Sequence, residues 1–231
     1  MDNRLSLTVA SESGRCPRDY VVESLWNAGW TGRDREAVQH HIDELALIGV
    51  PAPSTTPIYF PLTNILATTS TQIQVIGAES SGEVEYALLF NGEGDIFVTV
   101  ASDHTDRAYE RHGIQPSKQL CPKILAPDVW PYAEVRQHWE QLVLRCWAIQ
   151  QTKRTLYQQA VVGELLPPEH WLDTLARADI IQPGLVFLAG TPSTIAGWIF
   201  ADAYELELED PIRQRRIRHR YDVEVLGPGK Q

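Results

Sequence analysis

Cysteine is scarce in this sequence: Cys16, Cys121 and Cys146 are an odd count of three, with no Cys-x-x-Cys pair. That excludes a disulfide framework and a cysteine-rich zinc site, and a reducing cytoplasm is the expected compartment. Long apolar runs are missing as well. None approaches the roughly 18–20 residues a membrane span needs, and the opening MDNRLSLTVASESGR lacks the apolar stretch of a secretory leader. Basic residues are in the minority, 20 against 30 acidic ones, for a formal charge of -10. Phosphate neutralisation therefore does not make this a nucleic-acid-binding chain. No Gly/Ser-rich or Pro-rich linker divides it, and no internal repeat is present. What is there, 231 residues of which 43% are hydrophobic and 22% charged, suffices for one soluble globular chain with a sizeable core.

The periodicity reads mostly as β structure. Arg4–Val9 alternates polar and apolar residues as a strand does. Tyr20–Trp26 suits a strand or a short helix. Asp34–Ile48 changes period: Ala37, Val38, His41, Ile42, Leu45 and Ile48 recur at three- and four-residue spacing, an amphipathic helix stopped by Gly49 and Pro51. Short β-rich runs follow at Ile58–Phe60, Gln72–Ile76, Glu83–Phe90 and Ile96–Val100, the last two joined through the Gly-containing turn Asn91–Asp95. Tyr132–Gln150 suits helix or strand. Glu169–Asp179 reads as a helix, and Leu185–Ala189, Ala203–Leu208 and Tyr221–Leu226 as strands.

Chemistry concentrates at four places. Glu83-Val84-Glu85 lies in an apolar strand pattern, so both carboxylates point to one face, where each raises the other's pKa unless a cation intervenes. A hard divalent ion such as Mg²⁺ or Mn²⁺ takes such oxygen ligands. Two ordinary acids on a solvated face give the same spacing, as Glu205–Glu209 illustrates. Hairpin geometry brings Asp103 towards the pair, although Asp103 also suits a helix N-cap, and His104 is read as a hydrogen-bonded histidine rather than a ligand. His41 and Glu44, three apart on the helix, form an oriented general base; His40 and Asp43 are an equivalent pair. Gln182–Pro192 runs from a Pro-Gly turn through a strand to a Gly-Thr corner where backbone can approach a ligand.

In this order, these features resemble the fumarylacetoacetate hydrolase superfamily. Its Gly-Arg-Asn-Tyr and His-x-x-Glu helix motif is similar to Gly32-Arg33-Asp34 with His41 and Glu44. Its Glu-x-Glu strand resembles Glu83–Phe90, its Asn-Asp-x-Ser-Ala-Arg-Asp motif resembles Ser102–Ala108, and its Lys-Ser-Phe lysine is matched by Lys118. Its Pro-Gly-Asp-x-Ile-x-x-Gly-Thr-Pro segment resembles Pro183–Pro192. The chain departs from the pattern at several points: three extra residues precede the histidine, Ser102 and Ala108 replace Asn and Asp, Asp106 adds a charge, and Leu185 replaces an Asp. It reads as a divergent bacterial branch.

The resemblance implies an α+β, predominantly β fold: a mixed β-roll or sandwich with a few helices. Residues 1–30 would form an N-terminal strand and arm region and 31–231 the catalytic domain, usually as a homodimer. Glu83, Glu85 and Asp103 would hold Mg²⁺ or Mn²⁺. His41 and Glu44, on a mobile lid segment, would activate water; Lys118 would support the reaction; Arg33, Arg107 and Thr191 would contact a small oxo-acid substrate. The implied reaction is hydrolysis of a carbon–carbon bond in an acylpyruvate-like 2-oxo acid. A 2-oxo acid decarboxylase, a keto–enol tautomerase, or a non-catalytic binding protein on the same fold are the alternatives. The basic run Arg213–Arg220 reads as a solvated strand paired with nearby acids rather than a nucleic-acid surface.

Overall fold

The computed structural model describes residues 2–227 apart from 48, 50, 51, 54 and 93; the side chains of residues 41, 44, 45 and 47 also lie outside the described residues. Alternating, β-branched-rich segments build most of it. The N-terminal third gives β1 (Asn3–Ser11), β2 (Gly14–Val22), β3 (Ser24–Gly29), helix α1 (Arg35–Leu47), β4 (Ile58–Leu62), β5 (Ala67–Thr68) and β6 (Gln72–Val75). The middle gives β7 (Ser80–Ser81), β8 (Val84–Phe90), β9 (Ile96–Asp103), β10 (Thr105–Asp106), α2 (Ile114–Gln119), β11 (Lys123–Leu125), β12 (Asp128–Pro131) and α3 (Tyr132–Val135). The remainder gives β13 (Val143–Gln150), β14 (Lys153–Val161), α4 (Pro168–Arg177), β15 (Leu185–Leu188), β16 (Ala203–Asp210) and β17 (Arg215–Val225).

Among the described residues these strands form a 10-stranded sheet ordered β2-β1-β12-β9-β8-β15-β3-β4, with β11 and β5 attached beside β9, and a 5-stranded sheet ordered β14-β13-β16-β17-β6. Pairing is mixed. Most neighbours are antiparallel, while β1 and β12, β3 and β15, β5 and β11, and β6 and β17 are parallel. This is the expected predominantly β, α+β architecture.

Strand β8 runs through the middle of the large sheet and is buried along its whole length. Its alternation serves two cores. Val84, Tyr86, Leu88 and Phe90 face the cluster between the sheets, with Leu144, Cys146, Tyr204, Tyr221 and Trp171. Ala87 and Leu89 face a second cluster with Leu5, Leu7, Tyr20, Leu25, Phe60 and Val186. A strand covered on both faces reads as a continuous apolar run, which Ala87–Phe90 is. Residues 1–30, expected as a strand and arm region, supply β1–β3. Strand β3 lies inside the large sheet between β15 and β4, and Leu5, Tyr20 and Leu25 share the second core with β8.

Other expectations sort by the same physics. Asp34 caps α1: its Oδ1 accepts the Glu36 and Ala37 N–H groups at 3.0 and 3.1 Å. At the other end Gly49 takes φ +88°; Ile48 and Pro51, read as part of the helix and its stop, lie outside the described residues. Tyr20–Trp26 is strand apart from Glu23, shared between β2 and β3, while Tyr132–Gln150 is α3, a 3₁₀ turn and then β13. The basic run lies on β17, where Arg216 and Arg218 pair with Glu209 at 2.6 Å and Glu207 at 2.7 Å. No described helix is long and apolar enough to cross a membrane.

Candidate metal centre and its cavity

The antiparallel register of β8 and β9 pairs Glu85 with Ala101 and Val84 with Ser102, and the Asp103 N–H donates to Glu83 O at 3.0 Å. Glu83, Glu85 and Asp103 therefore share one face at the end of the sheet. One carboxylate oxygen from each lies within 4.8 Å of the others, and all three residues are buried. Asp103 is the last residue of β9 rather than a helix cap; Asp106 braces the turn that follows, accepting the Tyr109 N–H at 3.0 Å.

Three cations converge on these carboxylates. Lys118, from α2, donates to Glu83 Oε2 at 2.7 Å and to Asp103 Oδ2. Lys123, from β11, approaches Asp103 Oδ1 at 2.8 Å. That contact lies off the hydrogen-bonding direction, because Oδ1 accepts no hydrogen bond. Arg107 reaches Glu83 Oε1 and Glu110 Oε1, each at 2.9 Å, and Ser81 Oγ at 2.8 Å. The Trp198 ring stacks 5.3 Å from its guanidinium.

Glu85 makes no such ion pair among the described residues. Its Oε2 accepts the Gly190 N–H at 2.7 Å, an approach that requires glycine. Residue 190 has φ +97°, and a Cβ there would sit 2.0 Å from Thr31 Oγ1.

The electrostatics follow from burial and partners. Burial opposes ionisation of Glu83, but Arg107 and Lys118 outweigh it and hold its carboxyl far below the usual range. Burial, reinforced by the Asp103 charge, pushes Glu85 well above the usual range. Lys118 stays charged, since Asp103 and Glu83 overcome its desolvation. His104 is fully buried, with Nδ1 and Nε2 each 3.0 Å from the hydroxyls of Tyr221 and Ser80. Burial holds it well below the ordinary histidine pKa, which leaves a neutral core residue. The Cys121 thiol is pushed up to about 11 by burial, too high for a nucleophile at neutral pH.

The carboxylates close one end of a cavity of about 590 Å³. Glu83, Glu85, Arg107, Glu110 and Lys118 line it, Trp30, Val38, Leu165, Trp198 and Ile114 supply apolar wall, and Arg33 and Thr191 line it as well. Asp103, paired with Lys118, is not among its lining residues.

Of the residues expected at the site, Glu83, Glu85, Asp103, Lys118 and Arg107 meet directly. Arg33 is held by Glu140 at 2.7 Å and by Leu165 O at 2.9 Å. The Thr191 hydroxyl donates to Val84 O at 2.9 Å and accepts from Gln158 at 2.8 Å. Helix α1 overhangs the cavity through Ala37 and Val38; the side chains of His41 and Glu44, one turn further on, lie outside the described residues.

Sequence spacing overlooked three residues. Lys123 carried no motif. Glu110 is marked only by its i,i+3 distance from Arg107. Gln158 accepts the Val84 N–H at 2.9 Å and donates to Pro192 O at 2.7 Å, clamping the strand between the two glutamates to the 191–192 corner.

The donor set fits a hard divalent cation: three clustered oxygens, no sulfur or imidazole, and one carboxylate, Glu85, that is in no ion pair among the described residues.

A family model described as "Protein of unknown function (DUF2848)" matches residues 28–221. The chain belongs to that family. The matched span contains all the DUF2848 residues just described. No curated protein matches the chain. In structure it is similar to Cg1458, at 13% identity over 96% of this chain and 100% of that one, TM-score 0.64. It is also similar to a 2-keto-3-deoxy-D-arabinonate dehydratase complexed with magnesium and 2,5-dioxopentanoate, at 14% identity over 93% and 77% of the two chains, TM-score 0.62. A third similar structure is a putative fumarylacetoacetate hydrolase family protein from Yersinia pestis CO92, at 16% identity over 93% and 98%, TM-score 0.63. At these identities the likeness establishes the fold: this DUF2848 chain has the fumarylacetoacetate hydrolase fold.

Proposed function

We propose that this chain is a divalent-metal-dependent enzyme acting on a 2-oxo acid, and within that class a hydrolase that cleaves a carbon–carbon bond of an acylpyruvate-like substrate. The observation that carries the reading is the trio Glu83, Glu85 and Asp103, buried together where a cavity of substrate size ends. These residues would hold Mg²⁺ or Mn²⁺. A cation there supplies a Lewis acid that polarises the oxo acid and stabilises charge left by the breaking bond.

The chain's own groups supply the rest. Lys118, held by Glu83 and Asp103, brings an ammonium to the developing negative charge, and Arg107, fixed by Glu83 and Glu110, adds a second positive charge at the same end. His41, oriented by Glu44, takes a proton from water as the water oxygen attacks the distal carbonyl. The carbon–carbon bond breaks with its electron pair on the pyruvyl carbon, and that carbon receives the proton. The apolar wall of Trp30, Val38, Leu165 and Trp198 receives the acyl group and excludes bulk water. We assign the enzyme to the cytoplasm, as a homodimer.

Decarboxylation or tautomerisation of a 2-oxo acid needs the same charge stabilisation without the water-activating pair. A 4-oxalocrotonate decarboxylase among the similar structures, at 13% identity and TM-score 0.52, favours keeping this second reading.

The test is calorimetric titration of chelator-stripped protein with Mn²⁺, with and without oxalate, followed by turnover on acylpyruvates. Binding that tightens with oxalate and disappears in Glu85→Gln is the expected result; no binding in either condition sinks the enzyme reading. His41→Ala should lower hydrolytic turnover by about 10²–10⁴-fold while leaving Mn²⁺ affinity unchanged. Full activity in that variant moves the base to His40 or the reaction to the second reading.

A further inference from the structure

Two lysines meet at Asp103, and their surroundings differ. Lys118 lines the cavity from the short helix α2 and lies among oxygens that the cation would take, Glu83 Oε2 and one Asp103 oxygen. Lys123 does not line the cavity. Its side chain is fully buried on β11, paired in register with Asp103, and its ammonium donates to His104 O at 2.6 Å. A charge with no access to water must keep its partner, and Asp103 is the carboxylate Lys123 pairs with among the described residues. Lys118 is free to yield to a cation; Lys123 is not.

Charge counting then gives Lys123 a function. With Glu85 ionised, as a metal ligand must be, the site holds four carboxylates, Glu83, Glu85, Asp103 and Glu110, against the three cations Arg107, Lys118 and Lys123. The net charge is one negative unit. A divalent cation turns it one unit positive, and the single carboxylate charge of an oxo acid then brings it to zero.

Resting on the proposed metal centre, we propose that Lys123 is a positioning residue with two effects. It fixes Asp103 so that only Oδ2 is offered to the cation. Its positive charge also weakens binding of the cation alone, so that metal and anionic substrate bind tightly only together. The substrate class this selects is one whose anionic oxygens complete the centre.

The experiment is calorimetry on chelator-stripped wild type, Lys123→Met, which keeps the length without the charge, and Lys123→Gln, which keeps a polar donor for His104 O without the charge. Each is titrated first with Mn²⁺ alone, and the Mn²⁺-loaded protein is then titrated with oxalate. Removing one positive charge near the divalent ion should tighten Mn²⁺ by about tenfold or more in both variants, and weaken oxalate on the loaded protein by a comparable factor. Opposite signs in the two steps are what a merely structural lysine does not produce. Mn²⁺ binding that is unchanged or weaker, or two constants that worsen together, overturns the proposal while leaving a wild-type metal centre standing. Mn²⁺ binding by no protein, wild type included, removes the centre and this inference with it. A variant unfolded in chelator that folds on addition of Mn²⁺ supports the proposal, because the cation then compensates the buried acid's lost partner. One that stays unfolded at saturating Mn²⁺ overturns it.

Discussion

Asp103 and His104 are neighbours in sequence and perform opposite tasks. Alternation at the end of β9 turns Asp103 to the carboxylate face and His104 to the core, where its ring meets Tyr204 and Tyr221 edge-on. Burial, with Lys123 and Arg107 adding to it, holds His104 neutral. Its folded pKa lies below the unfolded value of about 6.5, so the unfolded state binds the extra proton. Its contribution to stability is complete above about pH 6.5 and is lost as pH falls below that. His170 and His219 are shifted in the same direction. Urea midpoints should therefore decline between pH 7.5 and 5.5, and His104→Phe should flatten that decline without abolishing it. An equally steep decline in the variant would contradict the neutral-core assignment.

Elements place what residues cannot place for themselves. The register of β13 and β14 shifts between Cys146 and Trp147, where Gln158 and Leu156 are the successive partners. This leaves Tyr157 as the extra residue of a bulge. The bulge lets both Tyr157 and Gln158 point inward, and Gln158 thereby reaches β8 from the other sheet. The end of β15 works with it: beyond Leu188 the chain turns through Gly190, whose N–H holds Glu85 and whose missing side chain admits Thr31. Gly190→Ala adds a Cβ where the space is filled and the φ is positive. Stability should fall by about 2–4 kcal/mol, and Mn²⁺ affinity should fall with it because Glu85 loses its anchor. Chemical denaturation and titration of the same preparation check both. Wild-type stability in Gly190→Ala would mean that the loop opens at little cost.

At the scale of the whole molecule, the centre lies where both cores and the cavity meet, so ligand binding is coupled to global stability. A cation held by β8 and β9 binds the folded chain and not the unfolded one. At about 100 times its dissociation constant it should add about 2.7 kcal/mol, a rise in melting temperature of roughly 5–10 °C for a chain of this size. Differential scanning with Mn²⁺ and with chelator reads this directly, and an unchanged melting temperature at saturation would place the cation elsewhere. The formal charge of -10 does not sit as a single acidic surface. The outer face of the small sheet carries an alternating ladder in which Arg145 contacts Glu207 at 2.6 Å and Arg218 and Arg216 pair with Glu207 and Glu209, which is where the basic run finds its acids.

The sequence by itself determined the local geometry: two glutamates on one strand face, an aspartate returned to them by a short hairpin, and a capped helix carrying His41 and Glu44. Periods of 2 and 3.6 residues and a turn of a few residues suffice for that, because the partners lie within about twenty positions of one another. Tertiary structure alone decided that Lys123 joins Lys118 and Arg107 at the acids, that Gly190 anchors Glu85 from 105 positions away, and that Gln158 clamps Val84 from 74 positions away. Those contacts depend on strand order, on a bulge and on the packing of one sheet against the other. Strand β14 was missed for a related reason: its sequence, KRTLYQQAV, is largely polar, and its place is set by pairing with β13 rather than by alternation of its own. Burial was decided there too. The same Glu-x-Glu spacing is solvated or enclosed according to what covers the sheet, and only enclosure raises Glu85 and gives the acids a reason to hold a metal.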